Sequence, residues 1–268
     1  MPVDQCNGED LQACSIANTW GLTFDDGPTT ATPGLLDYLK TQKLSATFFL
    51  IGSNVVANPD HAKRELQEGH HLASHTWSHH SLVSLTNEQI VAEMKWTEKA
   101  IFEATGVKPK YMRPPYGDMN NRVRFLLKKM GYIVVDWTGD SFDTNDWKLQ
   151  EKTDSEANLI THFTQSLDLY AKNTTRGFYC LEHDLTTETV GLAQKLIPLG
   201  QGKNIKFANV AQCEGDKQPY QGQSNAAMST STPVPTNQDK AKPSSASRMY
   251  KSEGLLLTAA ILVGSVLA

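Results

Sequence analysis

Basic clusters, long apolar runs and abundant cysteine are all missing from this sequence. No run of Lys and Arg is longer than a pair, and 29 acidic residues outnumber 25 basic ones over 268 residues, for a formal charge of −4. Binding to nucleic-acid phosphates needs clustered positive charge, so that class of protein is excluded. The apolar share of 39% excludes collagen-like, fully disordered and polytopic membrane proteins. A chain of this length can hold one large α/β domain or two ordinary ones.

Aromatic residues are absent from residues 221–247, where Ser, Thr, Pro, Asn and Gln dominate. Such a stretch cannot bury enough apolar surface to offset the conformational entropy of its chain. We therefore interpret residues 216–247 as a disordered stalk. It either carries O-linked sugars or is an unmodified flexible linker.

Residues 254–268 at the C-terminus carry no charge, but they are fewer than the roughly 20 apolar residues that span a bilayer. The small residues Ser244–Ala246 and a polar spacer precede them, which is the pattern of a GPI-attachment signal. We interpret residues 248–268 as the signal tail, with Ser244 or Ser245 as the attachment site. The alternative is a tail-anchored helix. The expected location is the cell surface or cell wall, on the outer face of the plasma membrane.

The N-terminus does not match that location, because Met1 is not followed by the apolar segment of a signal peptide. Either the natural N-terminus lies upstream or the GPI prediction is wrong, and the cysteines favour the first. Cys6 and Cys14, in the segment 1–18, precede the first predicted strand, and Cys213 follows the last. A disulfide from either of them to Cys213 would tie the two ends of the domain together.

Two other positions bear on secretion. Cys180 lies in an apolar run and is predicted to be a buried free thiol. Asn173 begins the sequence Asn-Thr-Thr, the single N-glycosylation sequon of the chain.

Short apolar runs bounded by turn residues alternate with helical patterns over residues 19–215, the expected catalytic domain. The predicted strands are Trp20–Phe24, Ala46–Ile51, His71–Ser74, Tyr111–Arg113, Tyr132–Trp137, Gly177–Leu181 and Ile205–Phe207. The predicted helices are one after the cap Asn58 and Pro59, one opening with a capping box at Thr86, Asn121–Met130 and Thr187–Leu199. This alternation indicates an α/β fold with parallel strands. Seven strands favour a barrel over an open doubly wound sheet, and in both the chemistry is expected past the carboxyl ends of the strands.

Two adjacent carboxylates, Asp25 and Asp26, end the first predicted strand and precede Gly27 and Pro28. Neighbouring side chains in an extended segment point in opposite directions, so one carboxylate can bind a metal while the other accepts a proton. Taken alone, the segment also reads as an ordinary turn.

The third predicted strand leads into His75-Thr76-Trp77-Ser78-His79. Histidines four residues apart lie on one face of a helix, where they can share a metal. With Asp26 they would form a site of two imidazoles and one carboxylate that keeps open positions. The expected cofactor is one Zn²⁺ ion, with Co²⁺ as the alternative.

Polar motifs also follow the later strands. Arg113 ends the fourth strand, and the two prolines after it fix the backbone, which makes the amide of Tyr116 a candidate oxyanion donor. His183 follows the sixth strand as a candidate general acid that Asp146 could orient. Trp147 suits either a sugar-binding groove or the core.

This set of motifs resembles the polysaccharide deacetylases with a NodB homology domain, carbohydrate esterase family 4. The resemblance extends from about Trp20 to Phe207 and rests on the segments Thr23–Pro28, His75–His79, Arg113–Tyr116, Asp143–Trp147 and Leu181–His183. It implies a distorted (β/α) barrel with seven strands, which agrees with the count above. The Ser/Thr stalk and the GPI-like tail resemble those of the secreted fungal chitin deacetylases.

The resemblance implies a role for each site residue. The implied catalytic residues are Asp25 as the base, Arg113 as its partner, His183 as the acid and Asp146 as the residue that tunes the acid. The implied metal ligands are Asp26, His75 and His79. The implied substrate-binding residues are Tyr116 through its backbone N–H, and Trp147 and Leu181 around the acetyl methyl group.

The expected reaction is metal-dependent hydrolysis of the N-acetyl groups of chitin or chitin oligomers, giving chitosan and acetate, by a monomer. One alternative is another acetylated glycan, such as acetylxylan or peptidoglycan. A second is a wall protein that only binds glycans, although pure binding requires neither Asp25 nor His183. A third is a hydrolase of small amides, although a groove lined by Trp147 would favour a polymer.

Overall fold

The computed structural model describes residues 10–222, and within this range strands alternate with helices. The strands are β1 (Thr19–Gly21), β2 (Thr23–Asp25), β3 (Thr47–Leu50), β4 (His71–Ser74), β5 (Tyr111–Met112), β6 (Ile133–Val134), β7 (Phe178–Tyr179), β8 (Glu182–His183) and β9 (Lys206–Ala208). The α-helices are α1 (Thr32–Gln42), α2 (Gly52–Ala57), α3 (Pro59–Gln67), α4 (Asn87–Thr105), α5 (Asn121–Lys129), α6 (Trp147–Glu151), α7 (Glu156–Tyr170), α8 (Thr187–Gly202) and α9 (Val210–Cys213).

The strands form two parallel sheets. One has six strands in the order β6–β5–β4–β3–β2–β8, and the other has three in the order β7–β1–β9. The pairing is parallel throughout both sheets, which confirms the predicted α/β class with parallel strands. Each of the seven predicted strands overlaps a strand of the structure, and residues 10–222 hold nine because one predicted strand is divided and β8 is added.

The difference in strand number arises where the chain passes from one sheet to the other. The predicted strand Trp20–Phe24 is divided at Leu22, whose amide donates to Ala208 in the small sheet while its carbonyl accepts from Thr47 in the large sheet. The predicted strand Gly177–Leu181 is similarly followed by a separate strand, β8. A continuous apolar run carries no signal for such a change of partner, because both halves are equally buried.

The helix predictions met with mixed results. The predicted capping box at Thr86 is present, and α4 ends at Thr105 with a C-cap at Gly106, whose φ of 80° is left-handed. Asn58 does not cap α3; its side-chain amide donates to the carbonyl of Pro28 instead. Helix α8 continues through Gly200 rather than ending there. Helices α1 and α7 were not predicted.

Both faces of the central strands are buried. Successive residues alternate between two apolar clusters: Phe48 and Phe178 belong to the one packed against the helices, and Phe49 and Tyr179 to the other. Since apolar side chains cover both faces, polar groups are concentrated at the strand ends. The carboxyl end of β2 therefore brings Asp25 and Asp26 to the edge of the large sheet.

A disulfide joins Cys14 to Cys213 and so links the N-terminal segment to α9, as one of the two predicted pairings required. Cys180 is a buried free thiol, also as predicted. Among the helices of residues 10–222, none is long and apolar enough to cross a membrane. Cys6, most of the predicted stalk, the attachment site at Ser244 or Ser245 and the signal tail 248–268 lie outside the described residues.

Candidate active site

A cleft of about 510 Å³ opens at the carboxyl ends of the strands in the large sheet. It is lined by Asp25, Asp26, His75, His79, Pro114, Tyr116, Trp137, Asp143, Trp147, Gln150, Glu151, Leu181, His183 and Leu185. The structure thus brings together at one surface nearly all the site residues that the sequence predicted. Arg113 and Asp146 lie beneath that surface and contact its lining residues.

A buried ion pair forms the floor of the cleft. Asp25 ends β2, and its Oδ1 accepts a hydrogen bond of 2.8 Å from Nη1 of Arg113, which is fully buried. Burial raises the pKa of the Asp25 carboxyl, and the positive charge of Arg113 opposes that rise. Nη1 of Arg113 also donates to the hydroxyl of Thr23, so the guanidinium is fixed at two points on β2.

Three side chains in the cleft can hold a metal ion. The ligand atoms of Asp26, His75 and His79 all lie within 4.8 Å of one another. Oδ1 of Asp26 is 3.4 Å from Nε2 of His75 and 3.3 Å from Nε2 of His79. Nδ1 of His75 lies 2.8 Å from the carbonyl oxygen of Arg113, which fixes the tautomer so that Nε2 is free to bind a metal.

The chemistry of this group fits a divalent cation. Oδ1 of Asp26 is buried and accepts no hydrogen bond from any described residue. A buried carboxylate oxygen that faces two imidazole nitrogens without a donor needs a positive partner. Burial lowers the pKa of His75 to about 3, which keeps its ring neutral, as a metal ligand must be.

The two histidines are brought together by a loop, so the prediction that they share a helical face was wrong. Residues 75–81 contain no helix. The loop turns back because Thr76 and His79 adopt left-handed backbone conformations, with φ of 67° and 59°. Asp26, directly after β2, also has a left-handed backbone, with φ of 75°. Non-glycine residues rarely adopt this conformation, and those that do are concentrated at functional sites.

A second buried pair, formed by His183 and Asp146, lies in the wall of the cleft. Nδ1 of His183 is 2.6 Å from Oδ1 of Asp146, and the backbone amide of His183 donates to Oδ2 of the same carboxylate. Burial alone would lower the pKa of His183, but the adjacent Asp146 carboxylate raises it to about 10. The imidazole is therefore protonated at neutral pH and has a proton to give.

The backbone at Tyr116 is also arranged unusually. Tyr116 has φ of 62°, and its amide donates to no backbone or side-chain acceptor within the described range. Its ring is 70% exposed and packs against the ring of His79, with the centroids 4.7 Å apart. An unused amide beside a metal-binding group is suited to hold a negative oxygen.

The walls of the cleft contain both residues that the sequence predicted and residues that it missed. Trp147 and Leu181, which were predicted, line the cleft. Trp137, the last residue of the predicted strand Tyr132–Trp137, also lines the cleft. Its ring packs so closely on Gly117 that a Cβ at residue 117 would lie 2.9 Å from it. The position of Trp137, an aromatic residue at the end of a predicted strand, was the signal that could have placed it in the cleft. Gln150 and Glu151 also line the cleft, from α6, and no sequence signal indicated this.

Comparisons with known proteins agree with the geometry. Residues 13–135 match the model of the family described as polysaccharide deacetylase. The solved chitin deacetylase of the fungus Colletotrichum lindemuthianum is 32% identical and superposes with a TM-score of 0.73, covering 82% of this chain and 98% of that one. This chain belongs to the polysaccharide deacetylase family.

Curated polysaccharide deacetylases from two kingdoms also match. Chitin deacetylase 1 of Cryptococcus neoformans is 43% identical over 69% of this chain, and a peptidoglycan-N-acetylglucosamine deacetylase of Listeria monocytogenes is 35% identical over 73% of it. The chain spans only 41% and 39% of the length of these two relatives. Polysaccharide deacetylases of this family depend on a metal ion, in keeping with the group formed by Asp26, His75 and His79.

Proposed function

We propose that this protein removes N-acetyl groups from the N-acetylglucosamine units of chitin, giving chitosan and acetate. The observation that carries the proposal is the cleft itself. It holds a buried carboxylate paired with an arginine, a protonated histidine paired with a carboxylate, and an Asp-His-His group that fits a divalent ion. Hydrolysis of an amide needs a base, an acid and an electrophile, and these three groups supply them.

Asp25 is the proposed general base. Burial moves the pKa of its carboxyl upward, toward the operating pH, which makes it a better proton acceptor than an exposed aspartate. Arg113 holds the carboxylate from below and leaves Oδ2 directed toward His75, 3.7 Å from its Nε2. Asp25 would take the proton from the water that attacks the acetamide carbonyl.

Asp26, His75 and His79 are the proposed ligands of the metal, with Zn²⁺ as the expected ion and Co²⁺ as the alternative. When bound, the ion would supply Lewis-acid polarisation of the carbonyl and of the attacking water. The tautomer of His75 set by the Arg113 carbonyl supports this assignment.

His183 is the proposed general acid. Its raised pKa, about 10, keeps a proton on the imidazole at neutral pH, and Asp146 binds Nδ1, which leaves Nε2 to deliver that proton. That proton would pass to the departing amine of the glucosamine unit. Asp146 stabilises the charged ring before the transfer.

Three residues are proposed to bind the acetylated unit. The free backbone N–H of Tyr116 would donate to the oxygen that becomes negative in the tetrahedral state. Trp147 and Leu181 would enclose the acetyl methyl group and the sugar face, because apolar and aromatic surfaces bind the apolar face of a pyranose.

Chitin is preferred over other acetylated glycans because two of the three relatives described above are named as chitin deacetylases. The second candidate is peptidoglycan, on the strength of the Listeria relative. A panel assay separates them: the full chain, loaded with zinc, is incubated with chitin oligomers, peptidoglycan fragments and acetylxylan. We expect acetate chiefly from the chitin oligomers. Faster release from peptidoglycan fragments would transfer the proposal to that substrate.

We further propose a cell-surface or cell-wall location, with a GPI lipid on Ser244 or Ser245, a monomeric state and a glycan on Asn173. The sequence pattern of the C-terminal residues supports the lipid, and Asn173 is exposed in the turn after α7. Phospholipase treatment of membranes from the native host should release the protein. Retention of the protein, together with peptides from residues 255–268 in the mature form, would instead identify a membrane helix.

A further inference from the structure

The loop between the two proposed histidine ligands is held from both sides by helices. The amides of Gly52 and Ser53, at the start of α2, donate to the carbonyls of Thr76 and Trp77 over 2.9 and 3.1 Å. These bonds satisfy the carbonyl groups of Thr76 and Trp77. The amide groups of Trp77 and Ser78 donate to a different element.

That element is α4, through the carboxylate of Glu93. Its Oε2 accepts hydrogen bonds from the amides of Trp77 and Ser78 over 2.7 and 2.9 Å. Its Oε1 accepts from the hydroxyl of Ser78 over 2.6 Å. Glu93 thus makes three hydrogen bonds to two adjacent loop residues, Trp77 and Ser78.

The position of His79 depends on this loop more than that of His75 does. His75 directly follows β4, and its ring is fixed by the carbonyl of Arg113. His79 follows the held residues, has a left-handed backbone, and its amide donates to the hydroxyl of Thr76 within the same loop. A loop with two left-handed residues persists only if its surroundings fix it. Glu93 supplies that fixation without itself lining the cleft.

We propose that Glu93 is a positioning residue that holds the loop 76–79 so that His79 meets Asp26 and His75 at the metal. The inference rests on the proposed metal site. A group that orients ligands from outside the ligand set typically changes metal affinity by about 10–100-fold when it is lost.

Two conservative variants separate hydrogen bonding from charge. Glu93→Asp keeps the charge but shortens the side chain by one methylene, so it cannot reach both amides. Glu93→Gln removes the charge but keeps the length of the side chain. The amide oxygen of the glutamine can accept hydrogen bonds from the amides of Trp77 and Ser78, and its NH₂ group can donate to the Ser78 hydroxyl. That hydroxyl can in turn donate to Nδ1 of His80, which lies 2.8 Å from it. Glu103→Asp is the matched control, because Glu103 lies on the same helix and is exposed, paired with Lys99.

The first readout is the affinity for Zn²⁺ alone, measured on the full chain by competition with a chromophoric chelator. We expect the Kd of Glu93→Asp to rise by about 10–100-fold, and the Kd values of Glu93→Gln and Glu103→Asp to stay within about threefold of the parent. An unchanged Kd in Glu93→Asp would overturn the proposal. Greater weakening in Glu93→Gln than in Glu93→Asp would also overturn it, because the charge of Glu93 would then matter more than its reach.

The second readout is hydrogen exchange at the amides of Trp77 and Ser78 in the metal-free protein. Exchange should be faster in Glu93→Asp and unchanged in Glu93→Gln and in the control. Unchanged exchange in Glu93→Asp would contradict the proposal even if metal affinity fell. Neither readout uses a substrate, so an error in the proposed glycan would leave both results standing, and the exchange experiment remains valid even if the protein binds no zinc.

Discussion

Two buried acid–base pairs give the residues of the cleft their chemistry. The Asp25 carboxyl and the His183 imidazole are both removed from water, yet each faces a group of opposite charge, Arg113 and Asp146 respectively. Burial raises the pKa of Asp25 against the opposing charge of Arg113, which suits a base, and the Asp146 carboxylate raises the pKa of His183 to about 10, which keeps a proton on the acid. The roles proposed for these residues therefore predict different responses to substitution.

Asp25→Asn should lose turnover but keep the metal. The amide retains the shape of the side chain but cannot take a proton, and a general base typically contributes about 10²–10⁴-fold to the rate. The comparison is kcat on chitin oligomers and zinc content, both relative to the parent. Turnover near that of the parent would remove Asp25 from the mechanism, and loss of zinc would make it a ligand instead.

His75→Ala should lose metal and activity together. Its Nε2 lies 3.4 Å from Oδ1 of Asp26, and two ligands cannot hold a divalent ion as tightly as three. Metal analysis of the dialysed variant checks this expectation. His162→Ala is the control, since His162 is exposed on α7 and is not in the group that could hold the metal. Full metal occupancy in His75→Ala would refute the ligand set.

Asp146→Asn should change the pH dependence of catalysis. In the parent, the pKa of His183 is raised to about 10, so the acid form persists and the alkaline limb of kcat/KM lies at high pH. Without the carboxylate, burial remains and lowers the pKa of the imidazole, so the alkaline limb should move to lower pH by about two units or more. Glu151→Gln, also in the cleft but without contact to His183, should leave the limb in place. An unmoved limb in Asp146→Asn would separate Asp146 from the acid.

The residue types at the site were predictable because each stands directly after an apolar run, where parallel strands present polar groups. The contacts between these residues were less predictable. The family resemblance implied that Arg113 holds Asp25, and in the structure the two side chains lie 2.8 Å apart. The role of Glu93 lay beyond sequence reasoning, because one glutamate among several on a helix carries no local pattern.

At the scale of elements, the loop 76–79 depends on the close contact between α2 and α4. A Cβ on Gly52 would lie 2.7 Å from the Thr97 hydroxyl and 2.7 Å from the ring of Trp77. The first turn of α2 can therefore approach the loop only because residue 52 has no side chain. The spacing of the two histidines alone suggested a helix here. Two ligands four positions apart can meet on one face of a helix, but they can also meet across a tight loop such as this one.

Gly52→Ala should destabilise the fold by about 1–3 kcal/mol and weaken zinc binding, because the added methyl must push α4 or Trp77 away. Urea unfolding and zinc competition provide the two measurements. Gly34→Ala is the control: Gly34 lies within α1 with open space around it, so alanine should stabilise by about 0.5–1 kcal/mol. Equal stability in the two variants would show that the contact at Gly52 is not tight.

At the scale of the molecule, one covalent bond joins the two ends of the described domain. Cys14 and Cys213 are separated by 199 residues, so their disulfide restricts the unfolded chain strongly. The double variant Cys14→Ser/Cys213→Ser should be less stable by about 2–5 kcal/mol. It should keep its activity when folded, since neither cysteine lines the cleft. Urea unfolding checks this, and a midpoint equal to that of the parent would contradict it.

The class of the fold could be predicted from the alternation of apolar runs and helical patterns, while the division into two sheets could not. Trp20–Phe24 reads as one strand because every residue except Gly21 and Thr23 is apolar, and only the partners of Leu22 show that the chain changes sheets. Helix α7 was missed although Leu159, Phe163 and Leu167 recur every four positions, the spacing that marks one face of a helix.

In the proposed reaction, the group of Asp26, His75 and His79 acts together with the Asp25 and His183 pairs to deacetylate chitin. The direct measurement is release of acetate from chitin oligomers by the full chain, followed by mass spectrometry of the oligomers, before metal removal, after it and after zinc is restored. We predict stepwise loss of acetyl groups that stops on metal removal and returns with zinc. Acetate release that persists in metal-free protein, or its absence from the zinc-loaded protein, would contradict the account.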